Sequence, residues 1–83
     1  MERNTLISAI VRFCFDYDGF IDDEIERKVE SKLNEVEFIE NLINTIVIKA
    51  KNSRNIDITQ VKAMLLELEK IRLELEYKDY NKV

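Results

Sequence analysis

Three aspartates that surround the single glycine, two before it and one after it, are the residues of this chain best suited to chemistry. Asp16, Asp18 and Asp22 lie close together in the sequence, with Gly19 among them. Carboxylate oxygens are the ligands that hard cations such as Ca²⁺ prefer, and such an ion needs about six to eight oxygens. The three aspartates are therefore the candidates for a weak cation site.

The same segment resembles the middle of the calcium-binding loop of EF-hand proteins. When Gly19 is aligned with the glycine of that loop, Asp16 and Asp18 fall on ligand positions. The first ligand position is then Cys14, and the last is Ile25, where the motif has a bidentate glutamate. Because these anionic ligands are missing, ordinary turn formation accounts for the segment. We therefore expect no bound metal.

The remaining residues offer little for catalysis. The chain has no histidine, which excludes a histidine base and any histidine-containing triad. A single glycine cannot form a phosphate-binding glycine loop. Cys14 lies on the apolar side of a predicted helix, so we interpret it as a small core residue rather than a reactive thiol. We predict a protein that is not an enzyme and has no cofactor.

Composition and charge are typical of a small helical protein with a charged surface. Of its 83 residues, 46% are hydrophobic and 36% charged, and the net charge of −4 disfavours broad binding to nucleic-acid phosphates. A lone cysteine fits a reducing compartment, no apolar run approaches the roughly 20 residues of a membrane span, and the first residues lack a signal-peptide layout. We expect a cytoplasmic protein outside the membrane. Enrichment in Ile, Asn, Lys and Glu favours a bacterial or phage origin.

Apolar residues recur at steps of three and four along the chain, which is the spacing of one face of an α-helix. The turn and loop signals are Asp18-Gly19 and the polar segment 52–55. The pattern predicts one all-α domain, residues 1–83. Its predicted helices are helix 1 at about 5–17, helix 2 at about 23–51 and helix 3 at about 58–80.

Particular residues are predicted to fix the helix ends. Asn4 suits the N-cap of helix 1, and Gly19 would close that helix by adopting a positive φ. Asp23 is a capping candidate for helix 2. Asp57, with Gln60 three residues later, forms a capping box at the start of helix 3.

The length of helix 2 determines the expected shape. An unbroken helix over 23–51 would be about 43 Å long at ~1.5 Å per residue. A compact globule of this size is only roughly 30 Å across. Either the helix breaks, near Asn34, or the molecule is elongated along antiparallel helices 2 and 3. We favour an elongated three-helix bundle, with a short helix 1, that also self-associates.

Helix 3 carries two apolar groups on opposite sides, whereas a surface helix usually carries one. The first and broader group faces the predicted core. The second consists of Ala63, Leu66, Leu73, Tyr77 and Tyr80. It needs a surface outside a three-helix monomer, unless helix 3 lies centrally between the other two helices. We predict that this second group is a partner interface.

These patterns favour a small protein-binding module of the inhibitor, adaptor, antitoxin or immunity type. Such a module would modulate another protein through a helical surface. A small dimeric DNA-binding regulator is an alternative, because Lys49, Lys51 and Arg54 cluster near the end of helix 2. Cations there also complement the helix dipole, so nucleic acid is an unlikely partner. A structural homo-oligomer, formed with a second copy of the chain, is the remaining alternative.

Overall fold

Four α-helices make up the protein in a computed structural model that describes the backbone of residues 1–81 and the side chains of residues 1–78. The helices are α1 (Arg3–Cys14), α2 (Asp23–Lys32), α3 (Val36–Asn52) and α4 (Ile58–Asn81). Residues 1–81 contain no strand, which confirms the all-α prediction. The predicted count of three helices is wrong. The molecule measures 45 × 29 × 19 Å, and none of its described helices could cross a bilayer.

The predicted helix 2 is two helices, because the chain turns a corner at Leu33–Glu35. The backbone N–H of Asn34 donates to Ser31 O at 3.4 Å, and that of Glu35 donates to Lys32 O at 3.0 Å. These bonds span three residues, as in the tighter 3₁₀ turn that often ends an α-helix. Leu33 is buried at the corner and anchors it in the core. The break near Asn34 is therefore the correct alternative, and the unbroken helix over 23–51 is wrong.

Helix α1 ends earlier than predicted, and the residue with a positive φ after it is not the predicted one. It stops at Cys14, Phe15 follows as the C-cap, and Asp16 adopts a positive φ of 53°. Aspartate tolerates this left-handed conformation better than most residues. Gly19 has no positive φ, so its predicted role in closing the helix is wrong. A Cβ at this position would lie 2.6 Å from the Tyr17 hydroxyl, so a larger residue there would require the end of the Tyr17 side chain to shift.

The helix starts differ in how their backbone N–H groups are capped. The backbone N–H of Gln60 donates a hydrogen bond of 3.2 Å to Asp57 Oδ1, which confirms the predicted cap of α4. Asp22, rather than Asp23, caps α2 with the same geometry at 2.9 Å. Helix α1 begins after Glu2, which makes no side-chain cap bond, so the predicted Asn4 cap is wrong.

Helix α1 is at the centre of the molecule, because it packs against α2, α3 and α4. Its buried side chains spread around much of the helix: Leu6, Ile7, Ala9, Ile10, Val11 and Cys14. The rest of the core comes from Leu33 at the corner and from one side of each other helix: Val29, Ile39, Leu42, Ile46, Val61, Met64, Leu68 and Ile71. The sequence alternative in which the last helix lies centrally is therefore wrong. Helix α4 packs on α3 and α1 only along its inner side.

Candidate partner interface

The second apolar group predicted on the last helix lies on the outer side of α4. Leu66, Leu73 and Tyr77 are 72%, 53% and 67% exposed. Ala63 is half-buried, and the side chain of Tyr80 lies outside the described residues. The inner side of the same helix is buried in the core. The two apolar groups therefore have different surroundings.

The outer side of α4 follows the spacing of a heptad repeat. Ala63, Leu66, Lys70, Leu73 and Tyr77, which we name the outer face, are separated by steps of three, four, three and four residues. This is the spacing by which side chains of one helix pack between those of another. Lys70 is exposed and has no ion pair with another described residue. The outer face therefore has the geometry to pack against one further helix.

Glutamates flank the outer face on both sides. Glu67 and Glu74 lie along one side, and Glu69 and Glu76 lie along the other. Arg72 holds the second pair, with its Nη1 atom 3.0 Å from Glu76 Oε1 and its Nε atom 3.2 Å from Glu69 Oε2. The hydrogen bond from Arg72 lowers the pKa of Glu69. The flank with Arg72 is therefore an ion-pair network in which Glu69 is ionised at neutral pH.

A shallow groove between α3 and α4 continues the apolar surface. The groove has a volume of about 400 Å³. It is lined by Ile43, Val47, Lys62, Leu65, Leu66 and Glu69. Leu66 belongs to both the groove and the outer face, so a helix lying on α4 would also reach α3. The sequence did not indicate this extension, because a groove depends on how two helices pack and neither helix shows it alone.

The three aspartates of the predicted cation site make other contacts or none. Asp16 Oδ2 accepts a bond of 2.7 Å from Lys49 Nζ, which also donates to Phe13 O at 2.8 Å. Asp22 caps α2, and Asp18 is exposed. Within the described part of the chain, no three acidic, cysteine or histidine side chains come together around a point where a metal could bind. Asp22 therefore acts as a helix cap, and Asp16 forms an ion pair.

The loop between α1 and α2 is held by hydrogen bonds of its own. Arg12 Nη1 donates to Tyr17 O at 3.2 Å and to Gly19 O at 2.8 Å. The Tyr17 hydroxyl donates to Phe20 O at 2.9 Å. Phe20 is 82% exposed in this loop. It is an exposed aromatic residue outside α4 and therefore a suitable control position for experiments on the outer face.

Cys14 is a core residue, which confirms its interpretation from the sequence. Burial raises the pKa of its thiol to about 11, although the nearby positive charge of Lys49 opposes that shift. A thiol with this pKa is almost fully protonated at neutral pH, and the thiolate is the nucleophilic form. The geometry at Cys14 supports a structural role.

The basic cluster at the end of α3 is partly engaged within the molecule. Lys49 is bound to Asp16, while Lys51 and Arg54 are exposed. Lys49 and Lys51 both lie in the last turn of α3, where cations complement the negative end of the helix dipole. This arrangement accounts for the cluster without a nucleic-acid partner.

Protein families, curated proteins and solved structures all give no significant match to this chain. The outer face of α4 is therefore the structural basis for proposing a function.

Proposed function

We propose that this chain is a small non-enzymatic protein-binding module, and that the outer face of α4 packs against one helix of another protein. One observation carries the proposal. Leu66, Leu73 and Tyr77 remain exposed, at heptad spacing, after all four helices have packed. Burying a large apolar side chain contributes roughly 1.5–3 kcal/mol. The outer face is therefore a source of binding free energy that the isolated chain does not use.

The groove beside the outer face supports docking of a helix. A partner helix lying along α4 would contact Leu66 and, across the groove, Ile43 and Val47 of α3. The partner would then complete a bundle with α3 and α4, which is a common way for helices to bind. A chain of this kind modulates its partner by covering the surface to which it binds, as inhibitors, adaptors, antitoxins and immunity proteins do. The unpaired Cys14 supports a cytoplasmic location for the complex.

Photo-crosslinking tests the proposal directly. A photoreactive amino acid at position 66 or 73 is compared with the same amino acid at Ile48, an exposed position on α3. In an extract of the source cells, positions 66 and 73 should crosslink to one common protein, and position 48 should not. Mass spectrometry then identifies that protein so that it can be purified.

Titration of the purified partner gives the quantitative result. The double variant Leu66→Glu/Leu73→Glu should lose binding while its circular dichroism stays unchanged, because both side chains are exposed. Phe20→Glu, which adds a charge at an exposed position outside α4, should bind like the wild type. Undiminished binding by the double variant would contradict the proposal.

A second copy of the chain is the other candidate occupant, and the heptad spacing of the outer face favours it. Light scattering at high micromolar concentration separates the two possibilities. A dimer that Leu66→Glu/Leu73→Glu converts to monomer would assign the outer face to self-association and overturn the proposed heterologous partner. A monomer at that concentration supports the heterologous partner.

A further inference from the structure

We infer that the partner helix carries basic side chains along both flanks and one carboxylate that meets Lys70. This inference rests on the proposed function, because it assigns chemistry to the helix that covers the outer face of α4. It commits to a heterologous helix rather than to a second copy. Two separate observations support it: the glutamates that flank the outer face, and the charge of Lys70 within it.

The flanks of the outer face are mainly acidic. Positions that flank a heptad face form the ion pairs between helices and thereby set partner choice. Four of these positions on α4 hold Glu67, Glu69, Glu74 and Glu76. Arg72 already pairs with Glu69 and Glu76, and the N-terminal ammonium group lies 3.4 Å from Glu67 Oε1, but each carboxylate has lone pairs for a further donor. Lysine or arginine on the partner would match these flanks, and the net charge of −4 would attract a basic segment.

A second copy of the chain matches these flanks poorly. In a parallel pair of α4 helices, Glu69 would face Glu74 of the other copy, and Lys70 would face Lys70. Only Lys62 would meet an opposite charge, at Glu67. In an antiparallel pair each flank faces its own counterpart, so Glu67 would lie opposite Glu74 and Glu69 opposite Glu69, and only Lys62 would meet an opposite charge, at Glu76. Like charges in these positions are destabilising, which favours a heterologous partner.

Lys70 determines the register of the partner helix. It is the charged member of the outer face and has no ion pair with any other described side chain. Covering an unpaired ammonium group with apolar side chains is unfavourable, because the group loses its hydration. A carboxylate placed opposite Lys70 would compensate for this loss. A single polar residue at such a position fixes register and orientation between two helices.

Two synthetic helical peptides of about three heptads test the inference. Both have leucines along one face. The first has lysine at every flanking position and one glutamate in the middle of the face, and the second has these charges reversed. Like charges along each peptide keep it monomeric. Fluorescence anisotropy against the full chain should show the lysine-flanked peptide binding at least ~10-fold more tightly at low salt, with the difference shrinking as salt screens the charges.

A charge exchange tests the role of Lys70. The variant Lys70→Glu should bind the lysine-flanked peptide roughly 10-fold more weakly, because two carboxylates then face each other. Replacing the central glutamate of the peptide with lysine should restore binding to this variant. Lys78→Glu makes the same charge change at an exposed position outside the outer face and should leave binding unchanged.

The outcomes separate this inference from the proposed function. Tighter binding of the glutamate-flanked peptide, equal binding of both peptides, or no binding of either would overturn the inference. Peptide binding that persists in Leu66→Glu/Leu73→Glu would also overturn it, because the peptide would then lie elsewhere. The proposed function fails on a different result, namely a natural partner that binds this double variant like the wild type.

Discussion

Helices α1 and α4 are both rich in apolar side chains, but the fold covers them to different extents. Helix α1 has 12 residues and lies among three other helices, so apolar side chains on several of its sides are buried. Helix α4 has 24 residues and packs only along its inner side. The width of an apolar stripe therefore does not show how much of it the chain buries. The number of neighbouring helices determines that.

The largest expected effect tests the central position of α1. Ile10 is 0% exposed, so Ile10→Ala should lower the free energy of unfolding by about 2–5 kcal/mol through lost burial and the cavity that remains. Urea denaturation measures the loss. A decrease below ~1 kcal/mol would show that the surroundings of α1 relax around the smaller side chain, and the contrast with α4 would weaken.

The thiol of α1 gives a prediction that depends on pH. The pKa of Cys14 is raised from 9.0 to about 11 in the folded protein, so the unfolded chain loses this proton first as pH rises. The unfolded state then binds fewer protons, and stability should fall between pH 9 and 11. Urea denaturation across this range should show the decrease in the wild type and a smaller one in Cys14→Ala. Parallel decreases in the two proteins would contradict the prediction.

The starts of α4 and α1 differ in side-chain capping, and this difference should have a smaller effect on stability. Asp57→Ala removes the side-chain cap of α4 and should cost about 1 kcal/mol of stability. Glu2→Ala at the start of α1 removes no cap bond and should change stability by less than ~0.5 kcal/mol. Thermal unfolding of both variants measures the difference. Equal losses would mean that the Asp57 bond does not stabilise α4.

The smallest expected effect is on the outer face of α4. Leu66→Ala should change the free energy of unfolding by less than ~0.5 kcal/mol, because the side chain is exposed. Leu68→Ala, two positions along the same helix but fully buried, should cost about 2–5 kcal/mol. A large loss for Leu66→Ala that grows with protein concentration would show that a second copy covers this face.

The sequence predicted features that depend on a single helix. The capping role of Asp57 and the apolar group around Leu66 both follow from local spacing, and the structure has Asp57 at the start of α4 and Leu66 exposed. The break between α2 and α3 was harder to predict, because apolar spacing continues across it with only Lys32 interrupting. In the structure Leu33 enters the core at the break, and Lys32 lies 5.4 Å from the ring of Phe38. That polar interruption and the excess length of an unbroken helix over 23–51 were the available signals.

Features that depend on contacts between elements were beyond the sequence pattern. The groove beside α4 needs Ile43 and Val47 to lie next to Leu65, which is a consequence of how α3 packs on α4. The close approach of Tyr17 to Gly19 arises from the position of the Tyr17 ring, and no local rule indicates it. Such features are determined by packing between segments and not by the periodicity of either one.

The central position of α1 also has a consequence for biosynthesis. The ribosome makes this helix before α3 and α4, which supply much of its cover. At roughly 5–20 residues per second, the nascent helix waits several seconds for those later segments to emerge. During that interval its aliphatic surface is open to chaperones and to unwanted association with other chains. The cover of α1 is therefore complete only after translation has delivered α4.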